Sequence, residues 1–153
     1  AMGAQMKRYP LINDVTTNLS SPPEFSAANG LPENEGRDLG FPTEFKAVIE
    51  AHYGDLAPLK LAEPADLVFQ KAVAIATDPL FRWQIIDEDS ESRRFEAVAE
   101  TRVFHWKDDI VVVVEAEGEG CVVNMRSKSR DGQGDFGANA RRIRKFFEAL
   151  ETL

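Results

Sequence analysis

Residues 95–129 read FEAVAETRVFHWKDDIVVVVEAEGEGCVVNMRSKS, and this stretch decides the fold class. It contains three runs rich in β-branched and aromatic residues, 95–104, 110–115 and 121–129, which predict strands. The connectors 107–109 and 117–120 are too short for a crossover helix, so neighbouring strands are expected to pair as antiparallel hairpins. A further strand is predicted at 83–87, which gives four strands in succession.

Helical patterns flank these strands on both sides. A short helix is expected between Pro42 and Gly54, a brief strand at 59–61, and a second helix between Pro64 and Asp78. The last helix begins near Ala138, and it carries an apolar stripe formed by Ile143, Phe146, Phe147 and Leu150.

The elements from residue 58 onward therefore follow the order β-α-β-β-β-β-α. Such an order predicts an α+β fold in which one curved antiparallel sheet packs against helices on one face. This connectivity resembles the TATA-binding-protein-like and helix-grip-like architectures. The likeness is one of topology, and it carries no function with it.

The chain divides into three segments by composition. Residues 1–5 are typical of what an expression vector leaves behind, and they are set aside. Residues 6–43 hold most of the prolines together with scattered apolar residues, which predicts an extended arm packed on the domain. Residues 44–153 are expected to form a single α+β domain.

Composition excludes several classes of function. The 153 residues carry a formal charge of −8, which disfavours nucleic acid as a partner. One cysteine, Cys121, and two distant histidines, His52 and His105, favour neither a disulfide nor a metal site, and no cofactor is expected. No apolar run reaches the length of about 18 residues that a membrane-spanning helix needs.

The most distinctive stretch is 126–142, in which five of seventeen side chains are cationic and three glycines separate a strand from a helix. Gly132, Gly134 and Gly137 match the dinucleotide-binding spacing. The chain ends too soon after them for a second strand and an acidic ribose ligand, so this reading is rejected.

Two interpretations of the stretch 126–142 stay open. In one, the arginines and the helix N-terminus receive a small anion. In the other, Asp135 caps the helix and pairs with an arginine, and Asn139 binds loop backbone.

Several separated motifs together resemble one family over nearly the whole chain. They are Asn13-Asp14-Val15-Thr16-Thr17, Pro22-Pro23-x-Phe25, Phe95-Glu96-Ala97, Asp108-Asp109 and a C-terminal block from Arg126 to Ile143. The pattern is similar to the domain-of-unknown-function 1499 family. The resemblance implies a bacterial setting in the cell envelope, because relatives commonly carry an N-terminal anchor, signal or membrane helices. By position it nominates Asp14, Thr16, Arg102, Asp109, Arg126, Ser129, Arg130, Asp135, Asn139 and Arg142.

The leading functional hypothesis is a non-enzymatic binding or accessory module of the bacterial cell envelope. It would hold a small anion, a lipid-like ligand or a partner segment near the arginine-rich loop, with Arg102, Asp109, Arg126, Ser129, Arg130, Asp135, Asn139 and Arg142 as candidate ligand-binding residues. Alternatives are a hydrolase-type enzyme that uses Asp109, Asp135 or His105, or a scaffold for protein assembly. The expected location is the periplasm or the membrane surface, through an anchor removed ahead of Met6, with the cytoplasm as the alternative.

Overall fold

The computed structural model describes residues 9–152. Within that range six strands form the sheet: β1 (Asp14–Thr16), β2 (Leu59–Leu61), β3 (Gln84–Asp89), β4 (Arg94–Glu100), β5 (Lys107–Glu117) and β6 (Gly120–Ser129). The same residues contain three α-helices: α1 (Phe45–His52), α2 (Ala65–Thr77) and α3 (Ala138–Thr152). From β2 to α3 the order is β-α-β-β-β-β-α, which confirms the predicted α+β fold class.

The sheet is antiparallel throughout, in the order β1-β6-β5-β4-β3. Strand β2 also pairs with β6, so β1 and β2 share its outer edge: β1 pairs with residues 126–128 and β2 with residues 121–123. The outer edge of β6 is therefore hydrogen bonded to two other strands of the same chain and is not left open to a partner. The arm supplies β1 and two short 3-10 helices, Ala27–Gly30 and Pro32–Asn34, where the sequence predicted only extended chain.

Two predicted boundaries are wrong at the same hairpin. Strand β4 ends at Glu100 rather than at Phe104, and residues 107–109 belong to β5 instead of forming a connector. The turn between them closes through Thr101, whose hydroxyl accepts from the Trp106 backbone N–H at 2.9 Å. The Thr101 backbone N–H donates to the Trp106 carbonyl at 2.8 Å. The aromatic residues of 101–106 extended the apparent strand, because aromatic side chains favour strands wherever they occur.

Alternation along the strands sends neighbouring side chains to opposite faces of the sheet. On one face, residues such as Phe95, Val112 and Met125 pack against α2 and α3 in the main hydrophobic core. The predicted stripe of α3 is confirmed, since all four of its members are buried. We call this the helix face.

The opposite face is covered by the arm. A second, smaller core joins Phe25, Ala28 and Leu39 of the arm to Val111 of β5. The fully buried carboxylate of Glu96 accepts backbone N–H groups from residues 26–28 at 2.8–3.1 Å. The arm is thus fixed to the sheet by both apolar contacts and hydrogen bonds, and we call this the arm face.

Candidate functional site

The arginine-rich stretch does not converge on one site, because it is divided between the two faces of the sheet. Arg126 and Arg130 make their contacts on the arm face. On the helix face, beneath the start of α3, the Asn139 amide accepts from the Ser127 hydroxyl and donates to Ser129 Oγ. The alternation of β6 produces this division, because successive residues of a strand point in opposite directions.

Arg126 holds the arm against the sheet. Its side chain is 1% exposed, and its Nε and Nη2 atoms donate to the Asp14 carboxylate at 3.0 and 2.7 Å. The same guanidinium donates to the carbonyls of Pro23 and Leu39 at 2.9 and 2.6 Å and lies over the rings of Phe25 and Phe41. Four hydrogen bonds engage most of its five N–H donors. The internal contacts therefore leave Arg126 little capacity for an external anion.

Arg130 forms a second buried pair on the arm face. Its Nε and Nη2 atoms donate to Asp109 at 2.8–3.2 Å, and the Asn34 side-chain amide donates to the same carboxylate at 3.1 Å. Arg37 from the arm donates to the Arg130 carbonyl and, at 3.0 Å, to Asp131. The arm is consequently bound to the end of β6 as well as to its middle.

Four further nominated residues form a polar network at the start of α3: Ser129, Asp135, Asn139 and Arg142. Asp135 accepts the backbone N–H groups of Gly137 and Asn139 at 2.8 and 3.3 Å, as expected for a residue that stabilises a helix N-terminus. The Asn139 amide donates to Asp135 at 2.8 Å and to Ser129 Oγ at 2.9 Å. Arg142 donates to Asp108 at 2.6 Å. The capping interpretation accounts for these residues, although Asp135 bonds to amides rather than to an arginine.

Burial and pairing set the protonation of these groups. Burial raises the pKa of Asp14, while the hydrogen bonds and charge of Arg126 oppose the increase. Burial likewise raises the pKa of Asp108, against the charge of Arg142 and a hydrogen bond with Ser129. The hydrogen bond to Asp109 raises the pKa of the Arg130 guanidinium. For Asp14 and Asp108, therefore, burial favours the neutral carboxyl and the neighbouring arginine favours the charged form.

Arg102 lies apart from the other nominated residues. It is exposed in the 101–106 turn, where it lines a shallow depression with Leu80, Phe81 and His105. His105 is exposed there too, with its Nδ1 atom 3.7 Å from the Glu100 carboxylate. Asp109 is on the arm face and Asp135 is at the start of α3. The convergence that a hydrolase would require of Asp109, Asp135 and His105 is absent from the described structure.

A different surface emerges beside the polar network. The turn 101–106 and the loop 131–137 enclose an open groove of about 610 Å³, which we call the aromatic groove and define by Leu11, Phe104, Trp106, Lys107, Phe136 and Arg141. Buried or half-buried atoms of Asp108, Ser129 and Asp135 lie at its base. Phe104 and Trp106 stack with their ring centroids 4.9 Å apart. Sequence reasoning missed this groove, although two signals were present: the aromatic residues Phe104 and Trp106, and Phe136, a lone aromatic residue in a loop of glycines and polar residues.

Among residues 9–152, no group of three or more histidine, cysteine or acidic side chains has a geometry suited to a metal ion. None of the helices in that range is long and apolar enough to cross a membrane.

Comparison with known proteins gives a family. No curated protein matches the chain. Among solved structures, the crystal structure of Ara h 8.0201 is similar, with a TM-score of 0.46 and 12% identity over 63% of this chain and 92% of that chain. The family model described as protein of unknown function (DUF1499) matches residues 14–150. The chain therefore belongs to the DUF1499 family.

Proposed function

We propose that this protein is a non-enzymatic binding module that holds the apolar part of a lipid-like ligand in the aromatic groove. One observation carries the proposal: exposed large apolar side chains are concentrated at this groove. Of the eight such residues among 9–152, Leu11, Phe104, Trp106 and Phe136 line it. Two more adjoin it, since Val103 precedes Phe104 in the turn and Tyr9 lies under Arg141.

A concentration of this kind indicates a binding surface. Scattered exposed apolar residues are normal, whereas a contiguous group around a concavity marks a ligand or partner site. The groove volume of about 610 Å³ falls within the range of about 300–1,000 Å³ that is typical of small-molecule sites. Its wall of apolar rings and its polar base suit a ligand with an apolar body.

The backbone supports the same conclusion. Phe136, which lines the groove, adopts a positive φ angle of 52°, which residues with bulky side chains rarely do. Phe136 is 70% exposed as a residue, so the strain does not serve to bury it. Backbone strain of this kind tends to persist where function requires a side chain to be displayed.

Two cations flank the groove and suit a polar head group. The ammonium group of Lys107 has no acidic partner within 4 Å among residues 9–152, and Lys107 lines the groove. Arg141 donates to the Phe136 carbonyl at 2.8 Å and lies 5.7 Å from the centroid of the Tyr9 ring. A carboxylate or phosphate head next to an apolar chain would complement this arrangement.

The small-anion form of the hypothesis receives less support at the arginine-rich loop. Arg126, Arg130 and Arg142 each pair with an internal carboxylate, in the case of Arg130 through Nε and Nη2. The setting in the bacterial cell envelope, in the periplasm or at the membrane surface, is part of the proposal and rests on the family resemblance.

A scaffold role would use the same exposed surface with a protein partner in place of a lipid.

Native mass spectrometry and thermal-shift measurements with lauric acid and lauroyl lysophosphatidylcholine, each below its critical micelle concentration, test the proposal. We expect one molecule to bind and to raise the melting temperature. Phe136→Ala is expected to weaken binding by about tenfold, because it removes a large apolar contact. Leu80→Ala is the matched control, since Leu80 is 71% exposed but lies outside the groove.

The proposal fails if neither lipid binds, or if Phe136→Ala and Leu80→Ala behave alike. Light scattering on the same samples distinguishes lipid binding from the scaffold alternative. A scaffold would self-associate or assemble with a partner, Phe136→Ala would abolish that assembly, and lipid would have no effect on it.

A further inference from the structure

A second cavity, on the opposite face of the sheet from the polar network, has the composition of a polar binding site. It has a volume of about 230 Å³ and lies between the arm and the ends of β5 and β6. We call it the arm cavity and define it by Asn34, Arg37, Asp38, Asp109, Lys128 and Arg130. It shares no lining residue with the aromatic groove.

Two residues that line the arm cavity each carry a buried polar atom with no hydrogen-bond partner in the described structure. One is the Oδ1 acceptor of Asn34, a residue that is 2% exposed, and the other is the Nη1 donor of Arg130, whose side chain is 4% exposed. Arg130 Nη1 forms an ion pair with the Glu33 carboxylate at 3.6 Å, a distance too long for a hydrogen bond. Buried polar groups in folded proteins are usually paired, so these two atoms point to a missing ligand group.

The orientation of the Asn34 amide is fixed by its other contacts. Its Nδ2 atom donates to the Ala28 carbonyl at 3.0 Å and to Asp109 at 3.1 Å. Exchanging the amide oxygen and nitrogen would place an acceptor against both of these oxygens. The unused Asn34 atom is therefore an acceptor, and it requires a donor from the ligand.

A third unused group is the ammonium of Lys128. Lys128 is half-buried at the cavity, and no carboxylate of residues 9–152 lies within 4 Å of it. Asp109, by contrast, is saturated by Arg130 and Asn34, and Asp38 accepts from the Gly40 backbone N–H at 2.8 Å. The cavity therefore offers a ligand Lys128, Arg130 Nη1 and Asn34 Oδ1, and it also contains the carboxylates of Asp38 and Asp109.

We propose that the arm cavity binds a small oxyanion that also carries a hydroxyl group, with phosphate or a phosphate monoester as the class that fits best. The oxygens of the anion accept from Lys128 and from Arg130 Nη1, and its acidic hydroxyl donates to Asn34 Oδ1. The cavity holds several water-sized volumes of about 30 Å³ each, which is enough for a phosphate group. The source of the phosphate is either the free ion or the head group of a larger molecule.

Sulfate provides a matched probe, because it has the size of phosphate but carries no hydroxyl at neutral or weakly acidic pH. Isothermal titration with inorganic phosphate, glycerol 3-phosphate and sulfate at about pH 6, where phosphates retain an acidic proton, tests the proposal. We expect both phosphates to bind about tenfold more tightly than sulfate, because only they satisfy the buried acceptor. Tighter binding of the free ion, or of the monoester, identifies the source.

Lys128→Met is expected to weaken phosphate binding by about tenfold, through loss of one charge-assisted hydrogen bond. The control is Lys60→Met, which removes the same charge from an exposed lysine that pairs with Glu117 at 3.9 Å. Thermal melting without ligand verifies that both variants fold. Equal affinity for sulfate and phosphate, an unaffected Lys128→Met variant, or no binding of either phosphate would overturn the proposal.

Discussion

Replacing Arg126 by methionine tests whether the arginine-rich stretch is primarily structural. The substitution leaves the Asp14 carboxylate, which is fully buried, without its bidentate partner and removes the donor from the carbonyls of Pro23 and Leu39. Removing one partner of a buried ion pair typically costs about 3–5 kcal/mol. The lost carbonyl contacts cost about 1 kcal/mol each, but these effects overlap. We expect the free energy of unfolding to fall by about 4 kcal/mol, a large share of the stability of a domain of this size.

Urea denaturation followed by tryptophan fluorescence measures this change. For a slope of about 2 kcal/mol per molar urea, the midpoint falls by about 2 M. Arg144→Met is the matched control, because Arg144 forms a comparable bidentate pair with Asp55 at 2.7 and 2.8 Å, but in an exposed position. Exposed pairs contribute about 0–1 kcal/mol. The reasoning is refuted if Arg126→Met destabilises the protein no more than Arg144→Met does.

Three further substitutions or probes follow from the structure. Burial raises the pKa of Tyr53, so above about pH 10 the unfolded chain loses this proton before the folded protein does, and the free energy of unfolding falls as the pH rises. Tyr53→Phe should reduce that fall and should leave the free energy of unfolding at pH 7 unchanged or up to about 1 kcal/mol higher, because the hydroxyl is buried without a hydrogen-bond partner. A loss of stability at pH 7 would contradict this expectation. Cys121 is 2% exposed, and burial raises the pKa of its thiol. A thiol reagent should therefore label it on the order of a hundredfold more slowly in native buffer than in urea. Rapid labelling in native buffer would show instead that the core opens readily. Asp135→Ala should lower the free energy of unfolding by about 2 kcal/mol, because its hydrogen bonds to backbone N–H groups are lost. The control is Asp131→Ala at an exposed position, which should change the free energy of unfolding by less than about 1 kcal/mol. Equal effects of the two substitutions in chemical denaturation would argue against the capping role.

The sequence predicts the sheet and the helices well because periodicity is a local property. Runs such as 110–115 and the stripe of α3 carry their pattern within one element, and the structure places both as expected. Strand β1 was not predicted, because its three residues, Asp14–Thr16, are too few to show the alternation of apolar and polar side chains that indicates a strand. Its identity as a strand depends on pairing with residues 126–128, more than 100 positions away.

The candidate site was less predictable for the same reason. The spacing of Arg126 in β6 and Arg130 directly after it implies a shared face, and the structure places both against the arm. Nothing local indicates that Glu96 anchors the arm or that Asn34 meets Asp109, since each contact joins segments more than 60 residues apart. Exposure is equally non-local: Phe136 became a candidate for ligand contact only when its ring proved to lie outside the core.

The most direct test of the account is a fluorescence titration of Trp106 with lauric acid. The protein has two tryptophans, of which Trp83 is 6% exposed in the core and Trp106 is 55% exposed at the aromatic groove. If the groove holds the apolar part of a ligand, emission should shift to shorter wavelength in a saturable manner and quenching by acrylamide should decrease. Trp106→Phe should remove both changes while Trp83 still reports a folded core. An unshifted Trp106 spectrum, or an identical change in Trp106→Phe, would contradict the central claim.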